Sequence, residues 1–302
     1  MMVGVVKGGA EYMKFYIVTP TYNALEWLRR CIRSVADQVS AGVEVHHHVQ
    51  DGGSADGTKE WLEHWRAEHE GVPGYTFSYE SGKDAGMYDA LNRALEKLPE
   101  TAEVTAHLNS DEQYLPGALA GVMRAYEEEP ASDIVLGSFI IQNEDGSYHC
   151  HRRPVKPHAW SSETVCEIIT CSCFHKVSTF RKHGVRFDTS YKSIGDLVFF
   201  SNIMKTNPRV CVRPGLWTSA YAMTGSNLAW TEVTAGESKR YFATLSRFSA
   251  GTHGLKWRFV NFIRRRKDAL YSPPGELSVY LRDDDRRTVQ TIEQPTTIWK
   301  IS

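Results

Sequence analysis

One pattern, repeated four times from residue 15 onward, constrains this chain most. A short run of apolar and β-branched residues breaks into a polar loop, and apolar residues at helical spacing follow. Phe15-Tyr16-Ile17-Val18-Thr19 breaks at Pro20-Thr21-Tyr22-Asn23. Leu25, Leu28, Ile32 and Val35 then share one helix face, with Asn23 placed as N-cap and Glu26 at the capping-box position. Val43, Val45 and Val49 mark a second strand that ends in the small-residue loop 50–58, and Trp61, Leu62 and Trp65 mark the next helix. Tyr75, Phe77 and Tyr79 alternate as a third strand. Gly82-Lys83-Asp84-Ala85-Gly86 ends it, ahead of the stripe Met87, Ala90, Leu91, Ala94, Leu95 and Leu98. Val104-Thr105-Ala106 is the fourth strand. It runs into His107-Leu108-Asn109-Ser110-Asp111-Glu112, and Pro116 stands as the first residue of a helix bearing Leu119, Val122, Met123 and Tyr126.

Strands alternating with helices imply crossover connections and a mostly parallel sheet. The four polar loops then open on the same edge, the carboxyl edge at which open α/β sheets bind ligands. Asp51, Asp84 and Asp111 converge there although they are distant in sequence. A dinucleotide-binding fold needs G-x-G-x-x-G after its first strand, where this chain has Pro20-Thr21-Tyr22-Asn23; the P-loop signature is absent as well. Two readings of 109–112 stand at this point. Asp111 is a helix cap in a strand-to-helix loop, or the cluster is an oxygen-ligand site for a hard cation completed by substrate phosphates.

The rest of the composition narrows the class. With 302 residues, 41% of them apolar, one large domain plus a smaller appendage is the natural expectation. A net charge of −1 gives no global pull toward nucleic acid. No run approaches the roughly 18 apolar residues that span a bilayer. Residues 1–12 are glycine-rich and lack an apolar core of signal-peptide length, so they read as a disordered extension and the expected compartment is the cytoplasm. Six cysteines in a chain this long are no disulfide framework, and neither Cys171-Ser-Cys173 nor His149-Cys150-His151 has zinc-ligand spacing. His46-His47-His48 falls in an alternating segment and reads as strand filling.

These motifs together resemble family 2 glycosyltransferases of the GT-A fold. Val18-Thr19-Pro20-Thr21-Tyr22-Asn23 and Asp51-Gly52-Gly53-Ser54-Ala55-Asp56-Gly57-Thr58 are similar to the family's opening. Asp84-Ala85-Gly86-Met87-Tyr88-Asp89-Ala90-Leu91-Asn92 is similar to its next block, usually D-x-G-x-Y-D-A-x-N. Leu108-Asn109-Ser110-Asp111 stands where the family has D-x-D. Phe187-Asp188-Thr189-Ser190-Tyr191-Lys192-Ser193-Ile194-Gly195-Asp196 resembles the segment that delivers the catalytic base. The resemblance covers residues 14–225. It implies a nucleotide-diphospho-sugar transferase fold, with a mostly parallel central sheet flanked by helices and a small C-terminal α+β appendage. The division is a catalytic domain at 13–225 and an appendage at 226–302.

The resemblance also implies an inverting transferase with a nucleotide-sugar donor, UDP-linked, and a glycan or lipid-linked acceptor, working in surface polysaccharide biosynthesis. Pro20 and Tyr22 would border the base, Asp51 the base or ribose, and Lys83 and Asp84 the nucleotide or donor sugar. Asn109 and Ser110 would lie on the same donor side, and Asp111 would bind Mn²⁺ or Mg²⁺ bridging the diphosphate. Asp196 would be the general base that takes the acceptor proton. Its place at a helix start also fits a cap held in charged form by the helix dipole. Two departures from the family stand out: Asn109 replaces the first acid of D-x-D, and Gly195 replaces a carboxylate before Asp196. They leave open a catalytically silent nucleotide-sugar-binding module. A sugar nucleotidyltransferase is the other alternative, though its G-x-G-x-R loop is absent.

Elsewhere, 134–142 and 148–152 read as two strands around the turn 143–146. Trp160 with 161–164 reads as a sugar-stacking surface or an ordinary loop. Residues 221–227 resemble a family loop that closes over the donor. Residues 253–267 form a basic amphipathic helix in which Leu255, Phe259, Phe262 and Ile263 share a face. That helix either packs on the catalytic domain or makes peripheral contact with the inner face of the cell membrane. A hairpin beyond Pro273-Pro274 docks on its own domain or serves a homodimer.

Overall fold

The computed structural model describes residues 12–224, 232–270, 274–282 and 284–297. Most of the expected 1–12 extension and residues 225–227 of the expected donor loop lie outside the described residues.

The elements of the first half run β1 (Met13–Thr21), α1 (Leu25–Ala36), β2 (Val43–Asp51), α2 (Thr58–Glu68), β3 (Tyr75–Ser81), α3 (Met87–Glu96) and β4 (Val104–His107). Strands β3, β2, β1 and β4 lie side by side in that order and are parallel, so their carboxyl ends share one edge, as the alternation requires. The helices sort the residues of β1 between the two faces of the sheet. Phe15 and Ile17 pack with Leu28, Ile32, Val35 and Leu62 on one side. Tyr16 and Val18 pack with Tyr88, Leu91, Phe187 and Phe199 on the other. A strand with both faces covered needs apolar residues at consecutive positions, and β1 has them. Full burial of each such side chain stabilises by roughly 1.5–3 kcal/mol.

The second half adds β5 (Glu112–Tyr114), α4 (Ala118–Glu128), β6 (Ile134–Gln142), β7 (Tyr148–Arg152), α5 (Ala159–Ser162), β8 (Cys173–Lys176), α6 (Val177–His183), α7 (Gly195–Lys205) and β9 (Val210–Ala222). Here the sheet continues β4-β8-β6-β9-β5, with antiparallel pairs mixed in, and β7 pairs with β6. The architecture is a mixed α/β fold with a mostly parallel sheet flanked by helices. After it come α8 (Glu232–Thr244), α9 (Arg247–Gly251), α10 (His253–Leu270) and the hairpin β10 (Glu276–Tyr280) with β11 (Arg287–Thr291).

Four local expectations are corrected. Strand β1 does not break at Pro20 but pairs through Pro20–Gln50 and Thr21–Asp51. Asn23 is not the N-cap of α1. It sits at φ 48° in the left-handed region that asparagine tolerates, and its side chain accepts the Ala55 N–H at 2.8 Å. The first N–H of α1, that of Leu25, is taken by Asp56 of the second loop at 3.0 Å. Glu26 pairs with Arg30 along the helix instead of closing a capping box. Pro116 does not open a helix, because β5 intervenes after Asp111 and α4 starts at Ala118 behind Gly117 in a left-handed conformation. Glu112 pairs with Tyr221 across to β9, which pulls this loop into the sheet.

The triple histidine divides as strand alternation requires. His47 meets Thr19 Oγ1 at 2.9 Å, while His46 and His48 share the Ser78 hydroxyl from the other side at 2.8 and 2.9 Å. The C-terminal hairpin docks on its own chain. Arg287 reaches Asp37, just past the end of α1, at 2.6 Å, and the Gln113 side chain donates to the Tyr280 carbonyl at 3.0 Å while accepting its N–H at 2.8 Å. Helix α10 packs with an unexpected face. Lys256 and Val260 are buried, while Leu255, Phe259 and Phe262 stand exposed. Among the described residues, no helix is long and apolar enough to cross a membrane.

Candidate active site

The polar loops at the carboxyl edge meet the start of α7 around a cavity of about 860 Å³. Pro20, Tyr22, Lys83, Asp84, Asn109, Ser110, Asp111 and Asp196 all line it, although they come from four separate stretches of sequence. The loops are tied to one another. The Ser54 hydroxyl accepts the Asn23 N–H at 2.7 Å, and Asp56 holds the start of α1. Gly52 passes between Tyr22 and the Asp84 carboxylate so closely that a Cβ there would lie 3.0 Å from Asp84 Oδ2. A larger residue would make the Asp84 carboxylate shift within the cavity wall.

Asp51 is the one expected donor-site residue outside the lining. It is buried beneath the cavity wall, where its carboxylate accepts the Ser54 hydroxyl at 2.5 Å and the Ser81 hydroxyl at 2.6 Å. In this arrangement it fixes the second loop to the end of β3.

The segment 109–112 forms a compact acidic corner. Glu112 is buried and accepts the Asn109 N–H at 2.6 Å. Burial, followed by the adjacent Asp111 charge, pushes its carboxyl above the ordinary range. The Asn109 side-chain oxygen is buried without a hydrogen-bond partner. A buried acceptor of this kind is costly unless something satisfies it, and a divalent cation is suited to do so. Mg²⁺ and Mn²⁺ take oxygen ligands, and Mg²⁺ uses only one or two protein carboxylates when phosphates complete the shell. Among the described residues, no group of three or more acidic, cysteine or histidine side chains gathers as a complete metal cage. The donor set of Asp111 with the Asn109 oxygen therefore fits a cation shared with a phosphate ligand.

Asp196 enters from the first turn of α7. Its position depends on a clasp between two sequence blocks. The Asn92 amide on α3 donates to the Phe187 carbonyl at 2.9 Å and accepts the Phe187 N–H at 3.0 Å. Phe187 then stacks on Phe199 of α7 with ring centroids 4.0 Å apart. The Asp196 carboxylate accepts the Leu197 N–H at 2.8 Å, yet burial pushes its carboxyl up to about 6. Desolvation outweighs the backbone hydrogen bonds that favour the anion. Asp111, Glu112 and Asp196 also meet in their effect on one neighbour. Burial first, then the charges of these three acids among others, raise the Tyr221 phenol.

Sequence reading left several lining residues unassigned: Trp27, Tyr88, Cys166, Ser193 and Thr234. Trp27 carried a signal, since it falls off the buried stripe of α1. Tyr88 falls within the 84–92 motif. Thr234 comes from α8, beyond any recognised block, and nothing in the local pattern points to it.

The model of glycosyl transferase family 2 matches residues 16–189, more than half of the chain, and the chain belongs to that family. No curated protein matches it. Among solved structures, Staphylococcus aureus TarS (residues 1–349) is similar at 18% identity, covering 85% of this chain and 74% of that one, with a TM-score of 0.56. The same TarS fragment in complex with UDP-GlcNAc matches at 17% identity, covering 85% and 75%, with a TM-score of 0.59. The mannosyltransferase PcManGT from Pyrobaculum calidifontis, in complex with GDP-Man and Mn²⁺, matches at 17% identity, covering 84% and 71%, with a TM-score of 0.56. At such identities the likeness is one of fold, and the fold is that of these glycosyltransferases.

Proposed function

We propose that the protein transfers a hexosyl group, with inversion, from a UDP-sugar to a glycan or lipid-linked acceptor in surface polysaccharide assembly on the cytoplasmic side of the membrane. The observation that carries this reading is the meeting of Asp111 and Asp196 on one cavity, the first beside a lone buried oxygen and the second desolvated. The nucleotide side of the cavity is assigned to Pro20, Tyr22, Lys83 and Asp84, with Asp51 bracing the loop from below. UDP is preferred because the TarS fragment is known in complex with UDP-GlcNAc and with UDP, although GDP-Man in PcManGT keeps the base open to test.

Asp111 and the Asn109 side-chain oxygen would hold a divalent cation, Mn²⁺ or Mg²⁺, whose chemistry is to stabilise the charge developing on the diphosphate leaving group. Asp196 takes the proton of the attacking acceptor hydroxyl. A carboxyl held near pH 6 is a better proton acceptor than an ordinary aspartate and is still ionised at neutral pH. The loops knitted through Asn23, Ser54 and Asp56 hold the donor side in place, so little ordering remains to be done on binding.

A thermal-shift screen of UDP-, GDP- and dTDP-sugars with and without Mn²⁺ tests the donor side, because a ligand of the native state raises the melting temperature. NMR of the product linkage tests inversion. Asn109 and Gly195 favour one competing reading, a silent binding module. Stabilisation by UDP with no turnover on any acceptor would establish that reading.

A further inference from the structure

We infer that the outward face of α10 is a docking surface for an anionic phospholipid bilayer. A helix on a soluble domain normally turns its apolar stripe inward, and α10 does the reverse. Lys256 and Val260 are 5% and 3% exposed, and the Lys256 ammonium donates to the Ser249 hydroxyl at 2.9 Å. Leu255, Phe259, Phe262 and Leu270 stand 70%, 49%, 53% and 78% exposed. From Leu255 these residues fall at i, i+4, i+7 and i+15, which is one continuous stripe. Neighbouring elements extend it. Trp160 of α5 is exposed and its ring lies 5.9 Å from that of Phe259, and Phe248 of α9 is exposed as well.

Charge identifies the occupant. Arg258 and Arg265 are exposed beside the stripe, and Arg266 lies along it with its guanidinium over the Phe262 ring at 4.9 Å. The helix sequence contains six lysines and arginines against one acid. Large apolar and aromatic side chains bordered by arginines suit the headgroup boundary of a bilayer, where the rings enter and the cations meet lipid phosphate. A second copy is a poorer partner. A two-fold contact through this stripe would bring the same arginines face to face.

On its inward side the helix packs through Val260 and Ile263 against Val155 and Val165. Docking of the outward stripe does not rest on the glycosyltransferase reading above.

The test is co-sedimentation with phosphatidylcholine vesicles, with and without phosphatidylglycerol. Two triple variants are compared with the unmodified chain: Leu255→Ser, Phe259→Ser, Phe262→Ser, and Arg258→Glu, Arg265→Glu, Arg266→Glu. The unmodified protein should sediment with the anionic vesicles and be released by salt. The arginine variant should bind at least about 100-fold more weakly, since each cation near an anionic surface is worth roughly fivefold. Both variants should keep the melting temperature and UDP affinity of the unmodified protein, because their positions are outward and off the cavity lining. Absence of vesicle binding at low salt overturns the proposal. So does a drop in melting temperature in the serine variant, or a concentration-dependent dimer that this variant abolishes. Vesicle binding without any sugar transfer would refute the enzymatic reading and leave the docking surface standing.

Discussion

The ring of Tyr88 lies directly over Gly195, so that a Cβ added at Gly195 would fall 2.4 Å from Tyr88 Cε2. Any side chain at position 195 would therefore have to displace the Tyr88 ring. Gly195→Ala should lower stability by about 1–3 kcal/mol, the usual cost of overpacking a closed site. Tyr88→Ala combined with Gly195→Ala should recover part of that loss. Thermal melts of the two single variants and the double variant check this. Strict additivity would show that the ring and Gly195 do not compete for the same space.

Asp196→Asn separates a base from a cap. Transfer should fall by roughly 10²–10⁴-fold, the usual worth of a positioned general base, while UDP affinity stays unchanged. Stability should move the other way. In the folded state the Asp196 carboxyl is raised to about 6, so between about pH 4 and 6 the native state binds more protons than the unfolded chain. The wild-type protein thus loses stability as pH rises through that window. The asparagine variant should melt higher than wild type at pH 8, with the difference closing toward pH 4. A cap role predicts no loss of transfer.

The same carboxyl sets the acid limb of the rate profile. With a base held near pH 6, kcat/KM should rise about tenfold per unit below pH 6 and level off above it. Initial rates between pH 4.5 and 8, as approximate bounds, measure it. An acid limb at the ordinary aspartate value, near 4, would mean that a less buried group takes the proton.

Asp111→Ala should abolish the Mn²⁺-dependent part of UDP binding in a folded protein, and Asn109→Ala should weaken it less, since a neutral oxygen attracts a cation less strongly. Calorimetry in Mn²⁺ and in EDTA decides. Equal UDP affinity of the unmodified protein in the two buffers would remove the metal from the assignment.

Acid should begin to destabilise the protein above the ordinary carboxylate range. Burial holds His47 and His107 neutral down to about 3, and His48, His151 and His175 down to about 4. In the unfolded chain each takes up a proton near pH 6.5, so stability falls as pH drops below that value. The melting temperature should decline steadily from pH 7 to pH 5. Unfolding at pH 5 should take up several protons, readable by comparing calorimetry in buffers of different ionisation heat. Proton uptake near zero would contradict the neutral buried state of these rings.

Much of this was legible in the chain itself. The β-branched runs and polar loops placed β1 to β4 and their shared edge because local periodicity and crossover geometry both act over short stretches. The cavity residues Pro20, Tyr22, Lys83, Asp84, Asn109 and Asp111 followed from motifs at those loops, and Asp196 from the 187–196 segment. What stayed hidden was decided by partners distant in sequence. Asn23 lost its cap role to Asp56, some thirty residues further on. Glu112 joined β9 because Tyr221 was there to pair with it. The face that α10 buries was chosen by Ser249 and the α5 region, not by its own hydrophobic pattern.

The hairpin β10–β11 carries a consequence for the order of assembly. Strand β5, which continues directly from Asp111, lies at the edge of the sheet, and its outer side is closed by Gln113 gripping Tyr280, 167 residues away. During synthesis the acidic corner is built early, but its brace arrives only when residues 276–291 have left the ribosome. Until then the outer side of β5 is held only by the α1 region, where the Ser34 hydroxyl accepts the Tyr114 N–H at 3.0 Å and the Gln38 amide donates to the Leu115 carbonyl at 3.2 Å, and a partly covered edge is prone to pair with the wrong chain. Nascent chains stalled before residue 276 should therefore depend on chaperones to a degree that chains stalled after residue 291 do not.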